Sequence, residues 1–355
     1  MGKPLKPVSA QLPPLILGTA TFNYQFNEDP YALPSTAIVQ RALDSGIRAF
    51  DTSPYYGPSE RILGQALATD YVRKNYPRES YQILTKVGRV AASCFDYSPQ
   101  WVRKSVQRSL KRFSTTYLDV VYCHDVEFVS PAEVLAAVKE LRRLRDEDRS
   151  VHYIGIAGYP VDVLCDLAEL VLRETGEPLD IVQSYANYTL QNTRLQSRAL
   201  SRLVDAQVDV VTNASPLGMG LLHEWLTTEE KKIEVESMRF ALGAWLVDGS
   251  RAGGAGLIPG VTDSKKTPDQ RLGVAVIGVS NVEELTENIN VWKDIVKETS
   301  RDTTNVGVKA VDMEAVHSRF QEILGEWYDH AWDSPGSDFV NEVNPDHDVD
   351  VNDLE

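Results

Sequence analysis

Four polar residues spread over some seventy positions carry the chemistry this sequence offers: Asp51, Tyr56, Lys86 and His124. Each stands at or just beyond the end of a short apolar run. A phenol moves a proton on or off an oxygen at neutral pH only if its ordinary pKa of about 10 is brought down, and a nearby cation does that. At about 4 Å and an effective dielectric near 20, one ammonium supplies roughly 4 kcal/mol, worth a few pKa units before burial is counted against it. Lys86 is the candidate ammonium and Asp51 the carboxylate that keeps it protonated and aimed. His124 is the candidate donor to a substrate oxygen. Such a set is an acid/base site without an oxidant. Any one of the four could equally end a strand at solvent; what points to a site is their joint placement on successive runs.

The elements that must position them can be read from the same segments. Ile47 to Phe50 leads into Asp51, Tyr81 to Thr85 into Lys86, and Leu118 to Cys123 into His124. Each run is short and rich in β-branched and aromatic residues, as expected of a parallel strand buried on both faces. Helical patterns lie between them. Ser35-Thr36 opens a helix that Gly46 stops, and Ser98-Pro99 opens another, with Ser98 suited to the N-cap and Pro99 to the first helical position. The alternation continues with helix Pro131–Arg145, strand Val151–Ala157, helix Val161–Arg173, strand Leu179–Gln183, helix Leu195–Leu203 and strand Val208–Thr212. A helix over Lys231–Leu246, a strand over Gly273–Val279 and a helix over Val282–Val296 follow, and Leu15–Thr19 supplies a first strand. Eight strand-helix units in one domain predict an α/β fold, a (β/α)8 TIM barrel, over an open doubly wound sheet. No G-x-G-x-x-G follows any strand, so the usual dinucleotide loop of an open sheet is missing. In a barrel the C-terminal strand ends share one face, where Asp51, Tyr56, Lys86 and His124 would converge.

Several segments resemble the motif series of the aldo-keto reductases: Ala49 to Glu60, Leu84-Thr85-Lys86, Val121 to Asp125, Gln183, and Ser215-Pro216-Leu217-Gly218. The resemblance runs from about Leu15 to Leu222 and resumes from about Gly273 to Asn288. Within the family, Asn213 to Leu222 and Gly155 to Pro160 are most similar to the NAD-dependent sugar dehydrogenases of the D-arabinose and L-galactose type. The resemblance implies a nicotinamide dinucleotide across the barrel mouth. It places Gln183 at the carboxamide, Ser215 and Leu217 along the cofactor backbone, and Gly278, Glu284, Glu287 and Asn288 around the adenosine. Glu284 stands where NADP-preferring relatives often carry a basic residue; a carboxylate there repels a 2′-phosphate and accepts from a ribose hydroxyl, which favours NAD. The implied reaction oxidises the C1 hydroxyl of an aldose pyranose, D-arabinose-like or L-galactose/L-fucose, to an aldonolactone. Two other functions fit the resemblance: NADPH-dependent reduction of aldehydes such as pyridoxal, and a non-catalytic nicotinamide-binding regulatory subunit.

The sequence also departs from the family pattern. Ala157 and Gly158 stand where serine and asparagine commonly grip the carboxamide. The connection after Leu222, which in relatives folds over the pyrophosphate, is short, while residues are gained in a glycine-rich excursion, 248–271.

Composition sets further bounds. The 355 residues exceed the ~250 typical of this barrel, and the excursion and the C-terminal region account for the surplus. We expect an N-terminal extension over 1–13, a barrel over 14–330 ending in a helix at about Met313–Trp327, and an acidic, disordered tail over 331–355. The net charge is −15, and the last 22 residues hold seven carboxylates and no Lys or Arg. So acidic a chain is a poor partner for nucleic acid. Three cysteines, Cys94, Cys123 and Cys165, have no metal-ligand spacing, so no metal is expected, and they suit a reducing cytoplasm. No apolar run is long enough to span a membrane, and Met1 to Pro14 lacks the apolar stretch of a signal peptide. The remaining expected partner is a small-molecule sugar, bound by a monomer or weak homodimer.

Overall fold

The computed structural model describes residues 6–220, 237–246, 273–301 and 310–342. Eight parallel strands close into a barrel in sequence order: β1 (Leu15–Gly18), β2 (Ala49–Asp51), β3 (Gln82–Val87), β4 (Leu118–His124), β5 (Val151–Gly158), β6 (Ile181–Tyr185), β7 (Val210–Ala214) and β8 (Val274–Gly278). β1 pairs with β8 through Leu15 opposite Ala275 to Gly18 opposite Gly278, which seals the cylinder. This is the (β/α)8 architecture expected from the alternation.

The helices surround it: α1 (Ser35–Asp44), α2 (Ser59–Leu67), α3 (Asp70–Asn75), α4 (Pro99–Arg112), α5 (Pro131–Glu147), α6 (Val161–Thr175), α7 (Leu200–Asp205), α8 (237–246), α9 (Val282–Arg301) and α10 (Ala310–Leu324). Local chemistry sets several of their ends. The Ser98 hydroxyl accepts from the Trp101 N–H and Pro99 opens α4, as read from the sequence. Ser130 and Glu133 form a reciprocal capping box around Pro131 at the start of α5. The segment expected as a helix over Leu195–Leu203 begins instead as a π-turn, Leu195–Ala199, and becomes α-helical only at α7.

Two apolar cores result. The inner one fills the barrel with Ile16, Ala49, Leu84, Val120, Tyr122, Ile181, Val210 and Val274, while a larger one lies between strands and helices. Gly155 lets the inner core close: a Cβ there would lie 2.4 Å from the Ile181 carbonyl oxygen and 2.8 Å from the Tyr122 ring. Tyr122 lies opposite Lys86 in the β3–β4 register.

Two termini differ from expectation. The first segment is no free extension, because Val8 and Leu12 are buried in the inner core and plug the barrel floor, with the Ser9 N–H donating to Asp209 at 2.8 Å. The stretch expected as a solvated tail begins with packed residues. Trp332 stacks on Tyr159 with ring centroids 4.1 Å apart, and Phe339 packs edge-on against Phe95 and Phe128. Asn341 pairs with both the N–H and the carbonyl of Phe95, at 2.8 and 3.0 Å. Aromatic stacking and backbone pairing thus hold this acidic stretch against the barrel up to residue 342. Residues 343–355, the connection 221–236 and the excursion 248–271 lie outside the described residues.

Candidate active site

Strand register assembles the site. Asp51 and His124 end β2 and β4, Lys86 is the penultimate residue of β3, and Tyr56 follows β2 by one turn, its N–H bonded to the Ser53 carbonyl at 3.1 Å. In the next strands His124 lies opposite Ala157, Ala157 opposite Gln183 and Gln183 opposite Thr212, so one layer carries the histidine and the amide together. All four sequence-predicted catalytic residues line one cavity of about 730 Å³ at the C-terminal strand ends, within the usual range for cofactor and small-ligand sites.

Lys86 is 1% exposed, and its Nζ donates to Asp51 Oδ1 at 2.6 Å and to the Thr52 carbonyl at 2.9 Å. Burial opposes its charge, but Asp51 and Tyr56 outweigh burial and the net shift is upward, so the ammonium is retained. Burial likewise raises the Asp51 carboxyl, with Lys86 and then Gln183 holding it back. Lys86 Nζ stands 5.0 Å from the centre of the Tyr56 ring. The Tyr56 pKa is nevertheless pushed up to about 12: burial is the largest cause, and the pull of Lys86 only moderates it. The expected lowering of the phenol by Lys86 is therefore corrected to a partial offset, because the sequence reveals the cation but not the depth of burial.

His124 packs its ring against Tyr56 at 5.6 Å and Tyr55 at 5.8 Å. Burial, then Lys86 and Arg89, drive its pKa well below the usual histidine value, so the ring is neutral. Ser53 Oγ accepts from the Tyr55 N–H at 3.1 Å and lies 3.0 Å from His124 Nδ1. The Ser53 hydroxyl can donate to Nδ1 while accepting from Tyr55, an arrangement in which the ring hydrogen sits on Nε2.

The cofactor-side residues divide. Gln183, Ser215, Leu217, Gly278 and Glu284 line the same cavity, whereas Glu287 and Asn288, a turn further along α9, are not part of its wall. Glu284 has a structural task as well. Its carboxylate accepts from the Ser280 N–H at 2.8 Å and from the Asn281 amide, while its own N–H donates to Asn281 Oδ1 at 2.8 Å, so it caps α9. Ala157 stands in the wall without a polar group. Gly158 leaves room for another side chain, since a Cβ there would lie 2.5 Å from Glu127 Oε2.

The cavity also contains residues the sequence did not single out: Tyr55, Arg89, Asp125, Phe128 and Tyr185. Asp125 directly follows His124 and Arg89 lies three residues after Lys86, so proximity to a strand end was the only available signal. Gly88 sets the Arg89 loop, with a φ of +99° and the Tyr97 ring 2.2 Å from where a Cβ would stand.

A model of the aldo/keto reductase family matches residues 14–303. The chain belongs to the aldo-keto reductase family. Among curated members of that family's neighbourhood, it is 45% identical to D-arabinose 1-dehydrogenase of Saccharomyces cerevisiae over 222 residues, 62% of this chain and 65% of that protein. It is 38% identical to L-galactose dehydrogenase of Arabidopsis thaliana over 193 residues, 54% of this chain and 57% of that protein. The aligned part of this aldo-keto reductase thus spans just under two thirds, or less, of those relatives' length. A solved structure assigned to an aldo-keto reductase of Pseudomonas aeruginosa matches with a TM-score of 0.54 at 23% identity, over 80% of this chain and 91% of that one, and supports the fold alone.

Proposed function

We propose that the protein is an aldose 1-dehydrogenase that oxidises the C1 hydroxyl of a pyranose to an aldonolactone with a nicotinamide dinucleotide, NAD in preference to NADP. The observation that carries this reading is the convergence of Tyr56, Lys86, Asp51 and a neutral His124 in one cavity that continues to Glu284. The names of the two curated relatives support the aldose, and D-threo-aldose 1-dehydrogenase of Pseudomonas sp, 28% identical over 212 residues, agrees with them.

The residues present fit the dinucleotide. The buried Gln183 amide faces the cavity floor for the carboxamide, Ser215 and Leu217 form the wall beyond it, and Gly278, lacking a side chain, leaves the end of β8 open. Glu284 is held with its carboxylate at the far end, where it would accept from a ribose hydroxyl and repel a phosphate. When bound, the nicotinamide supplies the two-electron acceptor. The chain's own residues handle the proton and the orientation. His124 Nε2 donates to the sugar's C1 oxygen and fixes it beside Tyr56. Tyr56 takes the C1 hydroxyl proton as C1 loses its hydride, and Lys86 stabilises the phenolate that must be present beforehand. Asp51 keeps Lys86 charged and in place. Gaining a carbonyl at C1 of the ring makes the product a lactone.

A steady-state panel tests the proposal: NAD and NADP each with D-arabinose, L-galactose and L-fucose, beside NADPH with simple aldehydes. The expected result is NADH formation with at least one aldose and higher kcat/KM with NAD than with NADP. Efficient aldehyde reduction with no aldose oxidation would replace this reading with that of an aldehyde reductase, and cofactor binding without any turnover would point to a nicotinamide-binding subunit.

A further inference from the structure

The aldose reading leaves one pair of cavity residues without a task, and their unsatisfied atoms define what they would bind. Asp125 follows His124 and turns back toward the cavity through a left-handed backbone, φ 53° and ψ 59°. Its side chain is 2% exposed. Arg89 pairs with Oδ2, and that same oxygen stands 3.6 Å from His124 Nε2. Oδ1 is buried with no hydrogen-bonding partner among the described residues, and so is Arg89 Nε. Arg89 is itself fixed, its guanidinium lying 3.8 Å over the Tyr55 ring with Phe95 and Phe128 on its flanks. Burial raises the Asp125 carboxyl, and Arg89, then Lys86 and a hydrogen bond from Tyr185 of β6, hold it back.

We infer that Asp125, clamped by Arg89, receives the hydroxyl on the carbon next to the reacting one, so that the site selects sugars carrying a C2 hydroxyl. This rests on the aldose 1-dehydrogenase reading. An oxygen held by His124 Nε2 places its vicinal neighbour within reach of the Asp125 carboxylate, because Oδ2 stands only 3.6 Å from Nε2 and the two oxygens of a vicinal diol are separated by a single C–C bond. A hydroxyl is the group that such a pair calls for, since it donates to a carboxylate while accepting from a guanidinium. A substrate without it leaves the buried Oδ1 of that carboxylate without a partner, and hydrogen bonds to charged groups are worth about 1.5–3 kcal/mol. Sites built to bond a hydroxyl reject analogues that lack it more strongly than apolar pockets reject a missing methylene. The pair therefore adds selection against simple aldehydes and alcohols, which the catalytic four alone would not provide.

The test compares D-arabinose with 2-deoxy-D-ribose, which differs from it only in lacking the C2 hydroxyl, on the wild-type enzyme and on Asp125→Asn. The expected wild-type preference for D-arabinose in kcat/KM is ~30-fold or more. Asp125→Asn should lose most of that preference, the kcat/KM for D-arabinose falling much further than that for 2-deoxy-D-ribose. A wild-type enzyme that oxidises both sugars equally well, or a variant that keeps the full preference, overturns the inference while leaving the dehydrogenase reading intact. If no aldose is oxidised, the reading itself fails, and the same two sugars then decide the inference by their dissociation constants in saturation-transfer NMR; equal binding overturns it. The comparison on the wild-type protein does not depend on how the variant folds.

Discussion

At the scale of residues, the decisive quantity is the protonation of Tyr56. Its pKa, pushed up to about 12 by burial with Lys86 in partial opposition, leaves the phenolate a minor species at neutral pH. For a weak acid below its pKa that species grows about tenfold per pH unit. Aldose oxidation should therefore speed up steadily as pH rises from 6 to 9, whereas the reverse reduction, which needs the protonated phenol, should be nearly flat over the same range. Tyr56→Phe should remove the pH-dependent turnover, a loss of ~10²–10⁴-fold, with dinucleotide binding retained in a fluorescence titration. Appreciable turnover in that variant would assign the proton to another group. The convergence of these four residues was legible in the sequence, because Asp51, Lys86 and His124 stand at the ends of strand-like runs, Tyr56 follows the first of them by one turn, and barrel strand ends face one way. The direction of the Tyr56 shift was not legible, since burial depends on what the other strands place around the ring.

At the scale of elements, helix α2 locks the site from behind. Glu60 is fully buried; its Oε1 accepts from Thr85 at 2.6 Å and from Ser109 at 2.8 Å, and its Oε2 accepts from Arg112 at 2.8 Å. One carboxylate thus ties α2 to β3 and α4, directly beside Lys86. Removing one partner of a buried ion pair costs on the order of 3 kcal/mol, because the other charge loses its counterion without regaining water. Glu60→Ala should lower the unfolding free energy by about that amount in urea denaturation, and a change under 1 kcal/mol would show that the linkage is incidental. In sequence, Glu60 is one more charged residue near a helix start, where exposure is the ordinary state. Only the packing of three elements around it reveals a tether. Helix caps behave differently: Ser98-Pro99 could be read in advance because the cap bond is local in the chain.

At the scale of the whole molecule, the segment after α10 returns to the barrel mouth, and there it meets Glu127. The Ser334 hydroxyl donates to Glu127 Oε1 at 3.1 Å, as does the Tyr159 N–H at the same distance. Burial, then the neighbouring Asp125 charge, pushes the Glu127 carboxyl up to about 7 from an ordinary 4.5. Between those two pH values the folded protein keeps a proton that the unfolded chain has released. The native state then binds more protons, so stability is highest below the unfolded pKa and falls as pH rises through the window, by about 3 kcal/mol at most. Glu127→Gln should be more stable than wild type at pH 8 and about equal to it at pH 4 in matched denaturation curves. Identical pH dependence in the two proteins would show that Glu127 does not titrate in this range.

The order of strands, the four candidate residues and their shared face were determined by the sequence alone, because strand periodicity, caps and turn residues are encoded within a few positions of one another. The tertiary structure decided what depends on residues distant in the chain. It placed Glu284 both at the cavity and in a helix cap, and it left Glu287 and Asn288 outside the wall. It set Arg89 against Asp125 across two strands and laid residues 332–342 on the barrel rim in spite of their charge. Burial and hydrogen-bond satisfaction are properties of the assembled neighbourhood, so the proton affinities and the unpartnered Asp125 oxygen existed only once the barrel had closed.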